Sequence, residues 1–197
     1  DNYSEFNKQR EQTFPPAAFD FFTYGGLQRP VRIYTVNELH LTDAKIITNV
    51  NAETGIVKYQ AKFSHPDASA RVKLTLCDGD AVLTTQIQNL DKSNVHGKFE
   101  ITDCRFWSPR DPHLYQLQFE IIRNDNRIDE YQLDVGVREI EVKNDKLMLN
   151  GEPIFLKGFG KHEDFAVLGK GLSYPLIIKD FQLLKWVGAN SFRTAHY

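Results

Sequence analysis

The sequence predicts a mainly β protein in which a two-sheet sandwich is followed by one strand-helix-strand unit. Two observations predict this fold class. Between residues 36 and 137, short segments alternate apolar and polar residues with a period of two, as in strands that are buried on one face. After residue 154, a short apolar run that ends in glycine, a helical pattern and a second short run follow one another.

The sandwich is predicted from the alternation and spacing of its strands. Asp78-Gly79 lies between two alternating runs, which is a strong signal for a two-residue hairpin turn, and Asn124-Asp-Asn126 marks another turn. Strands are predicted within residues 57–63, 71–76, 81–87, 98–102, 115–123 and 128–137, with Tyr131, Leu133 and Val135 facing inward on the last. This pattern is typical of an immunoglobulin-like β-sandwich, which we place at residues 36–138.

Residues 1–35 precede the sandwich and have a different pattern. A polar start is followed by an aromatic-rich run, and so many aromatic side chains on a short segment need a surface to pack against. After the Gly25-Gly26 pair, Val31 and Ile33 alternate with polar residues, which predicts a strand.

Residues 139–197 predict hairpins and then a β-α-β unit. The hairpin turns are expected at Asn144-Asp145 and Asn150-Gly151, and the first strand at Phe155–Gly160. A helix should start at Ser173-Tyr-Pro175 and stop at Gly188, with Ile177, Phe181 and Leu184 at helical spacing, before a second strand from Asn190. Two parallel strands joined by a helix match the first βαβ unit of a (β/α)8 TIM barrel. Because one unit cannot cover or pair its own strands, the chain is expected to be a piece of a longer protein.

Polar side chains follow both strands of this unit. His162 and Asp164 come after the first strand, and Arg193 and His196 come at the end of the second. In a (β/α)8 barrel, the residues that leave the carboxyl ends of the strands form the active-site mouth. Both groups are therefore expected to face the same mouth.

Composition excludes several classes of partner. A formal charge of -2 and a pI of about 6.3 leave no basic footprint for nucleic acid or an anionic membrane surface. No run approaches the roughly 20 apolar residues that a membrane helix needs. Cys77 and Cys104 lack metal-type spacing, and reduced, buried thiols favour a cytoplasmic location. No metal or cofactor is predicted, and Lys157, Lys161 and Lys170 are expected to be solvated.

Three segments together resemble glycoside hydrolase family two, the group of β-galactosidases, β-mannosidases and β-glucuronidases. The final residues, Asn190-Ser-Phe-Arg-Thr-Ala-His-Tyr197, resemble the first half of the family signature. Tyr24-Gly-Gly-Leu-Gln-Arg-Pro-Val31 resembles the end of its sugar-binding jelly roll, and the sandwich falls where its immunoglobulin-like domain belongs. Within the family, Gly158-Phe-Gly-Lys-His-Glu-Asp164 is most similar to the β-glucuronidases. The resemblance implies a jelly-roll end at 1–35, the sandwich at 36–138 and the opening of the barrel at 139–197.

The resemblance also implies roles for the site residues. The two catalytic glutamates are expected further along the chain, so no catalytic residue is assigned here. Arg193 would support the nucleophilic glutamate by lowering its pKa, while His162, His196 and Asp164 would line the sugar pocket. Two structural alternatives stay open: Arg193 could form a salt bridge that only stabilises the fold, and Asp164 could form a hydrogen bond that only fixes its loop. Glu163 and Asp164 are adjacent and should point apart, which makes them a poor catalytic couple.

The expected function is therefore part of a retaining β-glucuronidase that hydrolyses β-D-glucuronides within a homo-oligomeric enzyme. The isolated 197-residue chain is expected to be inactive. Two alternatives stay open: a β-galactosidase or other member of the family, and a non-catalytic immunoglobulin-like carbohydrate-binding or scaffold module. The second alternative leaves the polar groups at His162 and Arg193 unexplained.

Overall fold

The computed structural model describes residues 26–165 and 168–195. These residues belong to two compact units. One covers Tyr34–Phe155, and the other combines the described residues up to Ile33 with those from Leu156 onward. The first unit contains only strands and loops, whereas the second contains two parallel strands and a helix.

Seven antiparallel strands build the sandwich of the first unit. They are β1 (Leu41–Asn51), β2 (Thr54–Phe63), β3 (Asp67–Asp78), β4 (Ala81–Leu90), β5 (Asn94–Ile101), β6 (Tyr115–Arg123) and β7 (Asn126–Val135). One sheet has the order β1-β2-β5 and the other the order β4-β3-β6-β7. Every neighbouring pair is antiparallel, so the predicted immunoglobulin-like sandwich is confirmed.

The period-two alternation places the core side chains between the two sheets. Buried side chains of β2, β3 and β6 alternate with partly or fully exposed ones over most of each strand, and the largest buried ones include Tyr59, Phe63, Leu74, Leu117 and Phe119. Full burial of an apolar side chain of this size contributes about 1.5–3 kcal/mol. The inward prediction holds for Val135 and in part for Leu133, but it is wrong for Tyr131, which is 49% exposed. Tyr131 lies on the edge strand of the four-stranded sheet, where the three-stranded sheet gives less cover.

Short hairpins follow the sandwich and belong to the same compact unit. They form a sheet of β8 (Ile140–Lys143), β9 (Lys146–Leu149) and β10 (Glu152–Pro153). The turns lie where the sequence predicted them, since Asn144, Asp145, Asn150 and Gly151 all have positive φ. Asn150 also accepts a hydrogen bond from Glu139 N at 3.0 Å and donates to the carbonyl of Trp107 at 3.1 Å. The hairpins are thus fixed to the end of the sandwich, and the predicted domain boundaries stay predictions.

The segment before β1 differs from its prediction. Residues 26–40 contain no strand, and the side chains of Val31 and Ile33 are exposed. The predicted strand is therefore wrong for these described residues. Alternation reports only a local preference, and a strand also needs a ladder partner to satisfy its backbone groups. Most of the remaining predictions for residues 1–35 concern residues 1–25, which lie outside the described part of the chain.

The second unit contains the predicted β-α-β arrangement. Its elements are β11 (Gly158–Lys161), α1 (Tyr174–Trp186) and β12 (Ser191–Thr194), and the two strands are parallel. The helix begins after Ser173 with Pro175 in its first turn, and Gly188 at φ +79° ends it in the left-handed region. Both parts of the predicted fold class, the sandwich and the β-α-β unit, are therefore confirmed. Among the described residues, no helix has the length and apolar character needed to cross a membrane.

Candidate functional site

The carboxyl ends of β11 and β12 lie side by side. The strands pair in register from Gly158 with Ser191 to Lys161 with Thr194, and Asn190 fixes this start by accepting a hydrogen bond from Lys157 N at 2.7 Å. Because the strands are parallel, the residues after both of them leave from the same edge. The structure therefore places the residues from 162 to 164 beside the end of β12, as the sequence predicted.

The two faces of the strand pair have different partners. On one face, Phe181 of α1 packs edge-to-face on Phe192 with ring centroids 5.1 Å apart. A cavity of about 300 Å³ lies on this side and is lined by Lys161, Phe192, Thr194, Phe181 and Ile177, among others. Side chains alternate along a strand, so Gly160 and Arg193 lie on the face away from the helix. In a (β/α)8 barrel that face is the interior, which is where Arg193 would have to lie to reach a substrate.

Lys161 joins the end of β11 to the helix. Its Nζ lies 2.9 Å from Oδ2 of Asp180, donates to the carbonyl of His162 at 3.1 Å and lies 5.5 Å from the ring centroid of Phe165. The side chain is only 10% exposed. The prediction of a solvated lysine is therefore wrong for Lys161, because Asp180 supplies a nearby carboxylate that no local pattern revealed. It is also wrong for Lys170, whose side chain is 15% exposed and whose Nζ lies 3.8 Å from Oε1 of Glu163, whereas Lys157 is exposed.

A loop follows β11 and carries the candidate residues His162 and Asp164. Phe165 and Gly169 close it with two backbone hydrogen bonds of 2.9 Å, and Arg29 reaches it from the segment before the sandwich. Arg29 contacts the carboxylate of Glu163 and donates to the carbonyl of Lys170 at 2.8 Å. The sequence analysis did not identify Arg29 as a site residue, although it quoted the Gly-Gly-Leu-Gln-Arg motif that contains it.

His162 and Asp164 lie on one side of this loop. Nδ1 of His162 is 3.9 Å from Oδ2 of Asp164, which is too long for a hydrogen bond. Oδ1 of Asp164 is enclosed and has no hydrogen-bond partner among the described residues. A buried carboxylate oxygen needs a donor, and a hydroxyl group would supply one. His196 lies outside the described residues.

The arrangement suits binding of a hydroxyl-rich ligand more than covalent chemistry by these residues alone. Glu163 turns to Arg29 and Lys170, so Glu163 and Asp164 do not form a facing pair of carboxyl groups. The imidazole of His162 and the carboxylate of Asp164 can donate to and accept from hydroxyl groups. Within residues 26–165 and 168–195, no three histidine, cysteine, aspartate or glutamate side chains converge as a metal site would require.

A sandwich followed by a parallel β-α-β unit is the order of elements expected where a (β/α)8 barrel domain begins after an immunoglobulin-like domain. Comparison with known families is more specific. Residues 39–138 match the model for glycosyl hydrolases family 2, and residues 140–197 match the model for the TIM barrel domain of the same family. The chain belongs to glycosyl hydrolase family 2, and the resemblance found in the sequence is confirmed.

Several relatives are β-glucuronidases. The chain is 41% identical over 179 residues to the β-glucuronidase of Paenibacillus borealis, covering 90% of the chain and 29% of the relative. It is 35% identical over 185 residues to that of Mus musculus, covering 91% and 28%. The chain thus spans less than a third of the length of these relatives.

Solved structures that resemble this chain also include β-glucuronidases. The β-D-glucuronidase of Dictyoglomus thermophilum superposes with a TM-score of 0.80 at 38% identity, over 91% of this chain and 29% of that one. The β-glucuronidase of Ruminococcus gnavus, solved in complex with D-glucuronic acid, gives a TM-score of 0.78 at 32% identity, over 91% of this chain and 30% of that one.

Proposed function

We propose that this chain is part of a retaining β-glucuronidase, in which it supplies the sandwich and one side of the sugar pocket. The observation that carries this proposal is the 41% identity to a β-glucuronidase over 90% of the chain. That match includes most of the chain, and the proposal is supported by the parallel pairing of β11 and β12, since barrel enzymes bind their substrates at the carboxyl ends of such strands. β-D-Glucuronides are therefore the proposed substrates.

The proposed mechanism divides the chemistry between this chain and the rest of the enzyme. Retaining glycosidases use two carboxyl groups about 5–5.5 Å apart, one as acid and one as nucleophile. We assign neither to this chain. Arg193, on the interior face of β12, is proposed to lie beside the nucleophilic carboxylate and lower its pKa, because a nearby cation favours the charged form.

The substrate-binding residues are proposed on the same edge. His162 would exchange hydrogen bonds with sugar hydroxyls, and Oδ1 of Asp164 would accept from one, since this oxygen has no donor among the described residues. His196 is proposed as a second imidazole in the pocket. A homo-oligomeric enzyme and a cytoplasmic location also stay proposals, and the free, buried state of Cys77 and Cys104 supports the location.

The test uses the complete enzyme, meaning the whole natural protein that contains these residues. It should release nitrophenol from 4-nitrophenyl β-D-glucuronide with retention, and at least about a hundredfold less efficiently from the β-D-galactoside. His162→Asn should lower kcat/KM for the glucuronide by roughly tenfold to a hundredfold, whereas His96→Asn, at an exposed histidine of the sandwich, should not.

Two outcomes contradict the proposal. Preference for the galactoside would replace it with the β-galactosidase alternative, and full turnover by the 197-residue chain alone would show that the catalytic carboxylates lie within it. As an independent check, this chain can replace the aligned segment of the Paenibacillus borealis enzyme. The chimera is expected to hydrolyse the glucuronide, since the two segments are 41% identical over 179 residues.

A further inference from the structure

Arg29 bridges two points of a loop that is remote from it in sequence. Its Nη2 contacts Oε2 of Glu163, and its Nη1 donates to the carbonyl of Lys170 at 2.8 Å. These acceptors lie near the two ends of the loop over residues 162–170. A planar guanidinium can make both contacts at once, because its N–H groups are held in one rigid fork.

Glu163 is the acidic partner that this bridge depends on. Its side chain is only 14% exposed, and its other oxygen, Oε1, lies 3.8 Å from Nζ of Lys170, which is 15% exposed. This distance of 3.8 Å between Lys170 and Glu163 is too long for a hydrogen bond. Arg29 is therefore the close cationic partner of a mostly buried carboxylate, and a carboxylate left without its partner in such a place is strongly disfavoured.

The side chains on either side of Glu163 point the other way. His162 and Asp164 approach each other to 3.9 Å, which places them together on one side of the backbone. Lys161, Glu163 and Phe165, by contrast, line one cavity together with Arg29, and His162 and Asp164 do not. Holding Glu163 toward Arg29 consequently directs both His162 and Asp164 away from Arg29.

We infer that Arg29 is a positioning residue for the sugar-binding loop: through Glu163 and the Lys170 carbonyl, it orients His162 and Asp164 toward the substrate. This inference rests on the proposed function, which assigns the substrate contacts to His162 and Asp164. The segment that precedes the sandwich then has a defined task in the active site, although Arg29 itself touches neither the substrate nor the reacting atoms.

Hydrogen exchange in the complete enzyme tests the structural half of the inference. Arg29→Gln should speed the exchange of backbone amides within residues 162–171 by roughly tenfold, because the loop loses its tie at both ends. Arg29→Lys keeps the charge but lacks the rigid, planar fork of N–H groups that a guanidinium offers, so an intermediate effect is expected. The matched control is Arg32→Gln, at an exposed arginine of the same segment, which should leave exchange unchanged. Equal exchange in all variants would refute the inference, whatever the activity.

Kinetics test the functional half. A variant that merely unfolds in part lowers the apparent kcat and leaves KM unchanged, whereas a displaced sugar contact raises KM. Arg29→Gln should raise KM for the glucuronide and weaken inhibition by D-glucaro-1,5-lactone, with a fall in kcat/KM of roughly tenfold to a hundredfold. The same substitution in a His162→Asn background should cost less, because one of the two residues that Arg29 orients is already gone.

The outcomes separate this inference from the proposed function. If the unmodified enzyme does not hydrolyse glucuronides, the proposed function fails, and the exchange measurement still decides whether Arg29 holds the loop. If the enzyme is active and Arg29→Gln leaves KM and inhibitor binding unchanged, the positioning role is refuted while the proposed function stands. Full additivity of the Arg29 and His162 substitutions would likewise refute action through His162.

Discussion

Gly160 and Arg193 are paired across the parallel strands, and a Cβ atom at position 160 would lie 3.3 Å from Nη2 of Arg193. This distance is tighter than an ordinary van der Waals contact, so the guanidinium would have to shift. Among the described residues, the only other atom within 4 Å is Cβ of Ala195, at 4.0 Å. Glycine at this position therefore leaves room for Arg193 on the interior face of the strand pair.

The first prediction concerns this pair. Gly160→Ala in the complete enzyme should lower kcat by about tenfold, because the guanidinium would be displaced from the proposed nucleophile. The unfolding midpoint should change little, since Arg193 is the one described residue whose side chain the added methyl group crowds. Ser191→Ala, on the same face of β12, is the matched control for general effects on the strand. Unchanged kcat in Gly160→Ala would contradict the proposed position of Arg193.

A second prediction concerns the ion pair between Lys161 and Asp180. Asp180→Ala would leave the mostly buried ammonium of Lys161 with the His162 carbonyl as its remaining close acceptor. We expect a loss of about 1–2 kcal/mol in local stability, a value discounted because Asp180 is partly exposed. Hydrogen exchange of the α1 amides measures this loss, and Lys179→Ala, at an exposed neighbour on the same helix, is the control. Equal protection of α1 in both variants would show that the ion pair does not hold the helix.

Tyr115 leads to a prediction for alkaline pH. Its hydroxyl accepts a hydrogen bond from Arg105 N at 2.9 Å and lies 3.6 Å from Sγ of Cys104, and burial raises the pKa of Tyr115 to about 12. Between the ordinary pKa of about 10 and this value, the folded state binds more protons than the unfolded state. The contribution of Tyr115 to stability is therefore complete below pH 10 and falls as the pH rises toward 12.

Urea unfolding at a series of pH values checks whether stability falls as the pH rises from 10 to 12. Tyr115→Phe should reduce the decline in the free energy of unfolding between pH 10 and 12. It should also cost about 1 kcal/mol at pH 7, since the partly buried amide of Arg105 loses its acceptor. Tyr131→Phe, at an exposed tyrosine of the same sheet, should keep the alkaline decline. An identical decline in the wild type and Tyr115→Phe would exclude Tyr115 as its source.

A fourth prediction concerns close packing in the sandwich. Gly97 faces Tyr59 across β5 and β2, and a Cβ atom there would lie 2.4 Å from the Tyr59 hydroxyl. That hydroxyl donates to Gln86 at 2.7 Å and accepts from Gln88 at 2.6 Å. Gly97→Ala should therefore displace a buried ring and its hydrogen bonds, at a cost of about 1–3 kcal/mol in urea unfolding. His96→Ala, at the exposed neighbouring position, should cost much less, and equal losses would contradict the steric explanation.

The features that could be predicted from the sequence are local ones. The hairpin turn at Asn144-Asp145 follows from the tolerance of these residues for positive φ, and the end of α1 at Gly188 has the same cause. Strand alternation predicted the sandwich because one face of each strand had to be buried. Tyr131 was predicted wrongly because alternation does not tell whether a strand is at an edge.

Some residues of the candidate site could likewise be predicted from the sequence, and others could not. His162, Asp164 and Arg193 could be proposed from sequence because they follow strand patterns and lie within motifs of a recognisable family. By itself, the sequence determined most of the secondary structure, the order of the sandwich and the β-α-β unit, and the family. Only the tertiary structure showed that Lys161 pairs with Asp180 and that Arg29 reaches Glu163, 134 residues further along the chain. The physical reason is that an ion pair depends on distance in space, and no periodicity or turn signal encodes which remote side chains the fold brings together.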